Sequence, residues 1–129
     1  MQFRIKKVAV LGSGVMGSGI SCQLANVGLE VLMLDILPSK LSDDDKNNRL
    51  SRNQVAKNAL DKAIKSKPAP LYNKKYSSRI SVGNFEDDFH KIKEADWIIE
   101  VVVERLDIKR QIFEKVEEYR SKGSIVSSN

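Results

Sequence analysis

Short apolar segments alternate with longer amphipathic stretches along this chain. Predominantly apolar runs occupy residues 8–11, 30–34 and 95–103, and shorter strand-like segments occupy 79–83 and 124–127. Nearly continuous apolar runs are typical of strands that helices cover on both faces, as parallel sheets require. The pattern therefore predicts a parallel sheet of five strands.

The stretches between these segments have helical spacing. Apolar residues recur every three or four positions in 16–27 and 107–120, where Gly28 and Gly123 mark the predicted ends. A short helix is predicted over 85–93. The resulting order of strands and helices predicts a single α/β domain over 1–129, with a doubly wound sheet and right-handed crossovers.

The segment 40–67 is longer than a simple crossover helix needs. It contains neither glycine nor proline, and its apolar residues recur at helical spacing from Val55 to Ile64 before Pro68 and Pro70 end it. We expect one long helix or a helical hairpin that projects from the sheet after the second strand.

A glycine-rich turn follows the first strand. Gly12, Gly14 and Gly17 have the spacing G-x-G-x-x-G, which suits a sharp exit from the strand, close approach of a pyrophosphate, and tight packing of the next helix. The N-terminus of that helix favours phosphate. The strand before and the helix after this turn indicate a dinucleotide site in a Rossmann-type sheet, rather than a turn that binds nothing. Its candidate residues are Gly12, Ser13, Gly14, Val15, Met16 and Gly17.

An acidic residue ends the second strand. Asp35 lies eighteen positions after Gly17, where a carboxylate accepts hydrogen bonds from both ribose hydroxyls and repels a 2′-phosphate. Ile36 and the two residues after it include no arginine that would bind such a phosphate. NAD is therefore favoured over NADP, although Lys40 is close in sequence.

Two carboxylates lie toward the end of the apolar run 95–103. Glu100 lies inside the run, where an ionised group is costly without nearby donors, and Glu104 follows it at a strand-to-helix turn, where ligands of open α/β sheets bind. Both residues also have a purely structural interpretation. Glu100 would then accept bonds from backbone amides, and Glu104 would favour the start of the next helix.

The composition limits the class of protein, its partners and its cellular compartment. The 129 residues are 41% hydrophobic and 30% charged, as in an ordinary globular domain, and no run has the length of a membrane-spanning helix. The net charge of +5 comes from interspersed signs without alternation of aromatic and basic residues, so we expect neither a nucleic-acid nor a membrane partner. The single cysteine, Cys22, favours a reducing cytoplasm.

These motifs together resemble the NAD-binding domain of 3-hydroxyacyl-CoA dehydrogenases. The resemblance covers essentially the whole chain: the run at 8–20, the strand that ends in Asp35, the lysine-rich insert, the segment 96–104 and the closing Ser-Ser-Asn. The most specific part is an E-x-x-x-E pattern at 100–104 with a lysine five residues later. The resemblance implies that Val102, Val103, Glu104, Lys109 and Asn129 line the cofactor, with Glu104 and Lys109 near its nicotinamide half. Lys109 is otherwise an exposed lysine of a first helical turn.

The resemblance also implies a function for the lysine-rich insert. In the family this region helps to receive acyl-CoA, and Lys62, Lys65 and Lys67 would supply positive charge for its 3′-phosphate. Most lysines on such helices only solvate the surface, so both interpretations stay open.

The family reaction is hydride transfer between a 3-hydroxyacyl-CoA and NAD, with a histidine as general base. The family places that histidine, and a helical domain that supplies most of a homodimer contact, after the position of Asn129. His90 matches no catalytic motif, and Cys22 is interpreted as a packing residue. We therefore expect these 129 residues to bind NAD weakly without turnover.

Two alternatives remain at this stage. The same cofactor domain occurs in other hydroxyacid dehydrogenases, although the lysine-rich insert argues against them. A non-catalytic NAD(H)-sensing module would also need the glycine turn and Asp35.

Overall fold

The computed structural model describes residues 4–102 and 106–128. Within them, five parallel strands form one sheet in the order β3-β2-β1-β4-β5. The strands are β1 (Lys7–Leu11), β2 (Glu30–Asp35), β3 (Ile80–Asn84), β4 (Trp97–Glu100) and β5 (Ile125–Ser128). The predicted five-stranded parallel sheet is confirmed.

Helices lie on both faces of this sheet. They are α1 (Val15–Asn26), α2 (Arg49–Arg52), α3 (Gln54–Ile64) and α4 (Leu106–Tyr119), with 3₁₀ helices at Lys74–Arg79 and Phe89–Glu94. Alternate strand residues point to opposite faces and divide the core in two. On one face Val10 and Met33 pack with α1 and α3, and on the other Leu11 and Ile98 pack with α4 and the second 3₁₀ helix.

The predicted helical insert is present between β2 and β3, but it consists of α2 and α3 and is neither one long helix over 40–67 nor a hairpin that projects from the sheet. Helix α2 begins only at Arg49, where the Asn48 side chain accepts hydrogen bonds from the Leu50 and Ser51 amides at 2.9 and 3.3 Å. The residues before Asn48 carry no apolar face that a helix would bury, which explains its late start. Helix α3 packs on the sheet instead of projecting, because Ala56 and Leu60 are buried.

Other boundaries also differ from the prediction. Residues 85–88 form turns, and only the 3₁₀ helix Phe89–Glu94 follows where a helix over 85–93 was expected. Strand β4 ends at Glu100 rather than at 103, because its neighbour β1 ends at Leu11, the register partner of Glu100. A strand cannot continue pairing where its neighbour turns away.

Candidate dinucleotide-binding site

The glycine turn lies where the sheet order reverses direction. Strand β1 has β2 on one side and β4 on the other, and the chain leaves β1 through Gly12 with φ +116°. The Gly12 amide donates to the Leu34 carbonyl at 2.8 Å, and the Val101 amide donates to the Leu11 carbonyl at 2.9 Å. These bonds fix the turn between the carboxyl ends of three strands, which is the ligand crevice of open α/β sheets.

The two later glycines of the turn have opposite surroundings. A Cβ atom at Gly17 would lie 1.9 Å from the Gly12 carbonyl oxygen, so only glycine lets α1 start this close to the turn. A Cβ at Gly14 would meet nothing within 4 Å. Gly14 is exposed, and its open side leaves room for a phosphate beside the N-terminus of α1.

Asp35 and the turn are joined directly. Asp35 Oδ2 accepts hydrogen bonds from the Ser13 amide at 2.8 Å and from Ser13 Oγ at 2.5 Å, while Oδ1 accepts from the Ile36 amide at 2.7 Å. Ser13 is buried and Asp35 is half-buried. The predicted ribose acceptor is therefore oriented before any ligand arrives. A ribose diol that uses both carboxylate oxygens would replace the Ser13 hydroxyl on Oδ2.

Three apolar side chains flank these polar groups. Val15, Met16 and Ile36 are exposed, Val15 most of all at 91%. Val15 and Met16 follow the glycine turn in sequence, and Ile36 follows Asp35 at the end of β2. Exposed apolar side chains beside polar anchors are typical of cofactor sites.

A second group of polar side chains lies at the ends of β4 and β5. Glu100 is fully buried; its Oε2 accepts a hydrogen bond from Ser128 Oγ at 3.1 Å, and its Oε1 lies 3.6 Å from Lys109 Nζ. The expectation that backbone amides satisfy Glu100 is not met among the described residues, since its partners are side chains. Val102 is half-buried just beyond β4, whereas Val103, Glu104 and Asn129 lie outside the described residues.

The three candidate substrate lysines lie at the other end of the sheet. Helix α1 starts at the glycine turn and runs for twelve residues, about 18 Å. At its far end the Asn26 side chain bonds the Pro70 carbonyl and the Tyr72 amide at 2.8 and 2.9 Å. The segment that contains these lysines leads directly into Pro70. The exposed residues Lys62, Lys65 and Lys67 are therefore not brought to the glycine turn.

Sequence reasoning missed an ionic cluster that fixes the insert. Arg52 bonds both carboxylate oxygens of Asp87, at 2.7 and 2.9 Å, and Arg49 lies 3.3 Å from buried Asp88. Hydrogen bonds from Arg52 and Asn84 lower the pKa of Asp87 to about 2. The cluster borders the site because Asn84 is the register partner of Asp35. Asp87 and Asp88, which follow shortly after β3, were the signal in the sequence that could have indicated this cluster.

Burial opposes ionisation of Asp88, but hydrogen bonds from Lys91 and the Asn84 amide outweigh it and lower the pKa of Asp88. Cys22 and His90 are the two other candidates for reactive side chains. Cys22 is buried in α1, and burial raises the pKa of its thiol, as expected for a packing residue. His90 is exposed on the second 3₁₀ helix.

The parallel sheet, the glycine turn at its switch point and the oriented carboxylate of Asp35 define a dinucleotide-binding α/β domain. The model of the family "3-hydroxyacyl-CoA dehydrogenase, NAD binding domain" matches residues 7–129. The chain belongs to this family, and its cofactor is NAD.

Individual relatives agree with this assignment. The chain is 53% identical over 135 residues to a probable 3-hydroxyacyl-CoA dehydrogenase of Bacillus subtilis, a match that includes all of this chain and 17% of that protein. A probable 3-hydroxyacyl-CoA dehydrogenase of Deinococcus radiodurans is 45% identical, over 98% of this chain and 34% of that protein. This chain therefore spans between a sixth and a third of these relatives.

A solved structure shows the same architecture. The crystal structure of (S)-3-hydroxybutyryl-CoA dehydrogenase from Ralstonia eutropha matches with a TM-score of 0.64 and 27% identity, over 98% of this chain and 41% of that one.

Among the helices of 4–102 and 106–128, none has both the length and the apolar character of a membrane crossing.

Proposed function

We propose that this chain holds NAD across the carboxyl edge of the sheet for hydride transfer between 3-hydroxyacyl-CoA and 3-oxoacyl-CoA in the whole protein. The observation that carries the proposal is the joined pair of Ser13 and Asp35. The hydrogen bonds from Ser13 hold the Asp35 carboxylate at the switch point of the sheet, beside a glycine turn that has open space at Gly14. The names of the Bacillus and Deinococcus relatives support the reaction class.

The adenosine half of NAD belongs beside β2. Asp35 accepts the ribose hydroxyls, and the amides at the start of α1 face the pyrophosphate. Gly12 and Gly17 let the turn and the helix approach each other, and Val15, Met16 and Ile36 supply apolar contact at the rim. No basic side chain reaches Asp35 among the described contacts, which supports NAD over NADP.

The nicotinamide half belongs beyond β4. Val102 and Lys109 lie at this side of the crevice, and Lys109 is held against buried Glu100. The family resemblance places Val103, Glu104 and Asn129 in the same region. NAD supplies the hydride acceptor; the described residues supply binding and orientation.

The reaction class supports an acyl-CoA substrate, the single cysteine supports a cytoplasmic setting, and the family resemblance supports a homodimer. We propose an acyl-CoA substrate, a cytoplasmic setting and a homodimeric whole protein. A role for Lys62, Lys65 and Lys67 in receiving the CoA phosphate stays a prediction, and their place at the end of the sheet away from Gly14 argues against direct contact with the cofactor.

The adenosine assignment is tested by replacing the ribose acceptor. We expect Asp35→Ala to weaken NAD by about ten-fold or more and to narrow its advantage over NADP, because charge-assisted hydrogen bonds are lost and repulsion of the 2′-phosphate disappears. Calorimetric titration of both cofactors measures this change. Unchanged affinities for both would show that the ribose assignment is wrong.

The reaction class needs a separate measurement on the gene product of full length. We expect it to oxidise NADH with acetoacetyl-CoA as substrate. Oxidation with a simple 2-oxoacid but not with acetoacetyl-CoA would favour another hydroxyacid dehydrogenase. Cofactor binding without turnover of either substrate would favour a sensing module.

A further inference from the structure

Glu100 is an unusual residue for the interior of this sheet. Its side chain has no exposed surface, and its Oε1 atom has no hydrogen-bond partner among the described residues. Burying a carboxylate is costly unless charge and hydrogen bonds compensate. A structural strand position is filled at lower cost by an apolar residue, such as Ile98 or Ile99 before it.

One cation compensates this charge. Lys109, in the first turn of α4, places Nζ 3.6 Å from Glu100 Oε1, and its side chain is 21% exposed. Within the described part of the chain, Lys109 is the only residue that forms an ion pair with Glu100. The other carboxylate oxygen is occupied by Ser128 Oγ on β5, so the two oxygens have different partners.

The pair is located at the cofactor edge. Glu100 is the register partner of Leu11, the residue directly before the glycine turn. An ammonium group has three N–H donors, and Glu100 Oε1 engages one side of it. The remaining donors are available to a ligand at this edge because Lys109 is partly exposed.

We propose that Glu100 is a positioning residue that acts through Lys109. Its buried charge holds the Lys109 ammonium at the end of β4, where it contacts the nicotinamide half of NADH. This inference rests on the proposed function, because it assumes that the nicotinamide lies on this side of the crevice. Without the carboxylate, the flexible lysine stem carries its charge into solvent.

The test compares NADH with ADP, which lacks the nicotinamide and its ribose. We expect Glu100→Gln to weaken NADH about ten-fold and to leave the ADP affinity unchanged, since only the nicotinamide half contacts Lys109. A purely structural role would weaken both ligands together. Titration calorimetry on the chain supplies both affinities.

A double-mutant cycle shows whether Glu100 acts through the lysine. Lys109→Met is expected to weaken NADH at least as much as Glu100→Gln, and the double variant no more than Lys109→Met alone. Additive losses, or an unchanged NADH affinity in Glu100→Gln, would overturn the inference. If Glu100→Gln does not fold, Glu100→Asp keeps the charge but withdraws it from Lys109. An unchanged ratio of NADH to ADP affinity in Glu100→Asp would then overturn the inference.

A matched control lies at the opposite end of β4. Asp96 Oδ2 accepts hydrogen bonds from the Lys6 and Lys7 amides at 2.8 and 3.1 Å, at the amino edge of the sheet. Asp96→Asn should change stability but not the ratio of NADH to ADP affinity. If Asp35→Ala weakens both ligands while Lys109→Met changes neither, the positioning inference fails and the cofactor site stands. If Asp35→Ala also has no effect, the proposed site itself is wrong.

Discussion

At the scale of single residues, the glycines of the turn show how one residue type meets different demands. No larger residue fits at Gly17, because its Cβ atom would lie 1.9 Å from the Gly12 carbonyl oxygen. Gly14 has free space on the same side, and its backbone angles of φ −59° and ψ −172° suit any residue. The fold therefore requires glycine at position 17, whereas no atom of the described residues excludes a side chain at position 14.

Gly14→Ala separates binding from folding. We expect the free energy of unfolding of the variant to lie within about 1 kcal/mol of that of the parent protein, because the new methyl group meets no atom of the described residues within 4 Å. NAD affinity should fall at least about ten-fold, since that methyl group occupies the path of the pyrophosphate. Calorimetry and chemical denaturation measure the two quantities. Gly19→Ala, also in open space but one turn into α1, is the control and should bind NAD normally.

At the scale of secondary-structure elements, the insert is fastened to the sheet in two ways. Helix α3 contributes buried Leu60 to the core cluster under α1, and α2 is tied by Arg49 and Arg52 to the turn after β3. The helical pattern around Leu60 was visible in the sequence. The ionic attachment was not, because Arg52 and Asp87 are 35 positions apart and charge alone does not predict pairing.

Leu60→Ala tests whether α3 is part of the core. We expect a loss of about 2–4 kcal/mol in the free energy of unfolding, as for other buried leucines. Leu50 on α2 is 77% exposed, so Leu50→Ala should change stability by less than about 0.5 kcal/mol. Equal effects of the two substitutions in chemical denaturation would show that α3 does not pack as described.

The ionic attachment predicts a response to acid. The pKa of Asp87 is lowered from 3.8 to about 2 in the folded protein, so its contribution to stability is complete above about pH 4 and is lost as the pH falls toward 2. The lowered pKa values of Asp88 and Asp96 act in the same direction. In Arg52→Ala the decline of unfolding free energy over this range should be shallower. An identical decline would contradict the assignment.

At the scale of the whole molecule, the residues proposed to bind the cofactor lie at one edge of the sheet, and structural hydrogen bonds lie at the other. Ser13, Asp35 and the pair Glu100 and Lys109 lie at the carboxyl ends of the strands. The Asp96 bonds and the end of α1 lie at the amino ends. Since the chain spans 17% to 34% of the two bacterial relatives, its sheet is one part of their architecture.

Cofactor binding should stabilise the folded chain as a whole. At an NAD concentration a hundred times its dissociation constant, linkage adds about 2.7 kcal/mol and raises the melting temperature by roughly 10 °C. NADP at the same concentration should raise it less, because of Asp35. Differential scanning calorimetry measures these shifts. A shift of the same size in Gly14→Ala would show that NAD binds elsewhere.

The sequence by itself determined the strands, the glycine turn and the acidic residue after β2, because these depend on local patterns and short spacings. Tertiary structure decided the end of β4 and the positions of the charged side chains. It also separated Lys62, Lys65 and Lys67 from the glycine turn by the length of α1. Contacts such as that of Glu100 with Ser128 join residues distant in the chain, and only the register of the parallel strands brings them together.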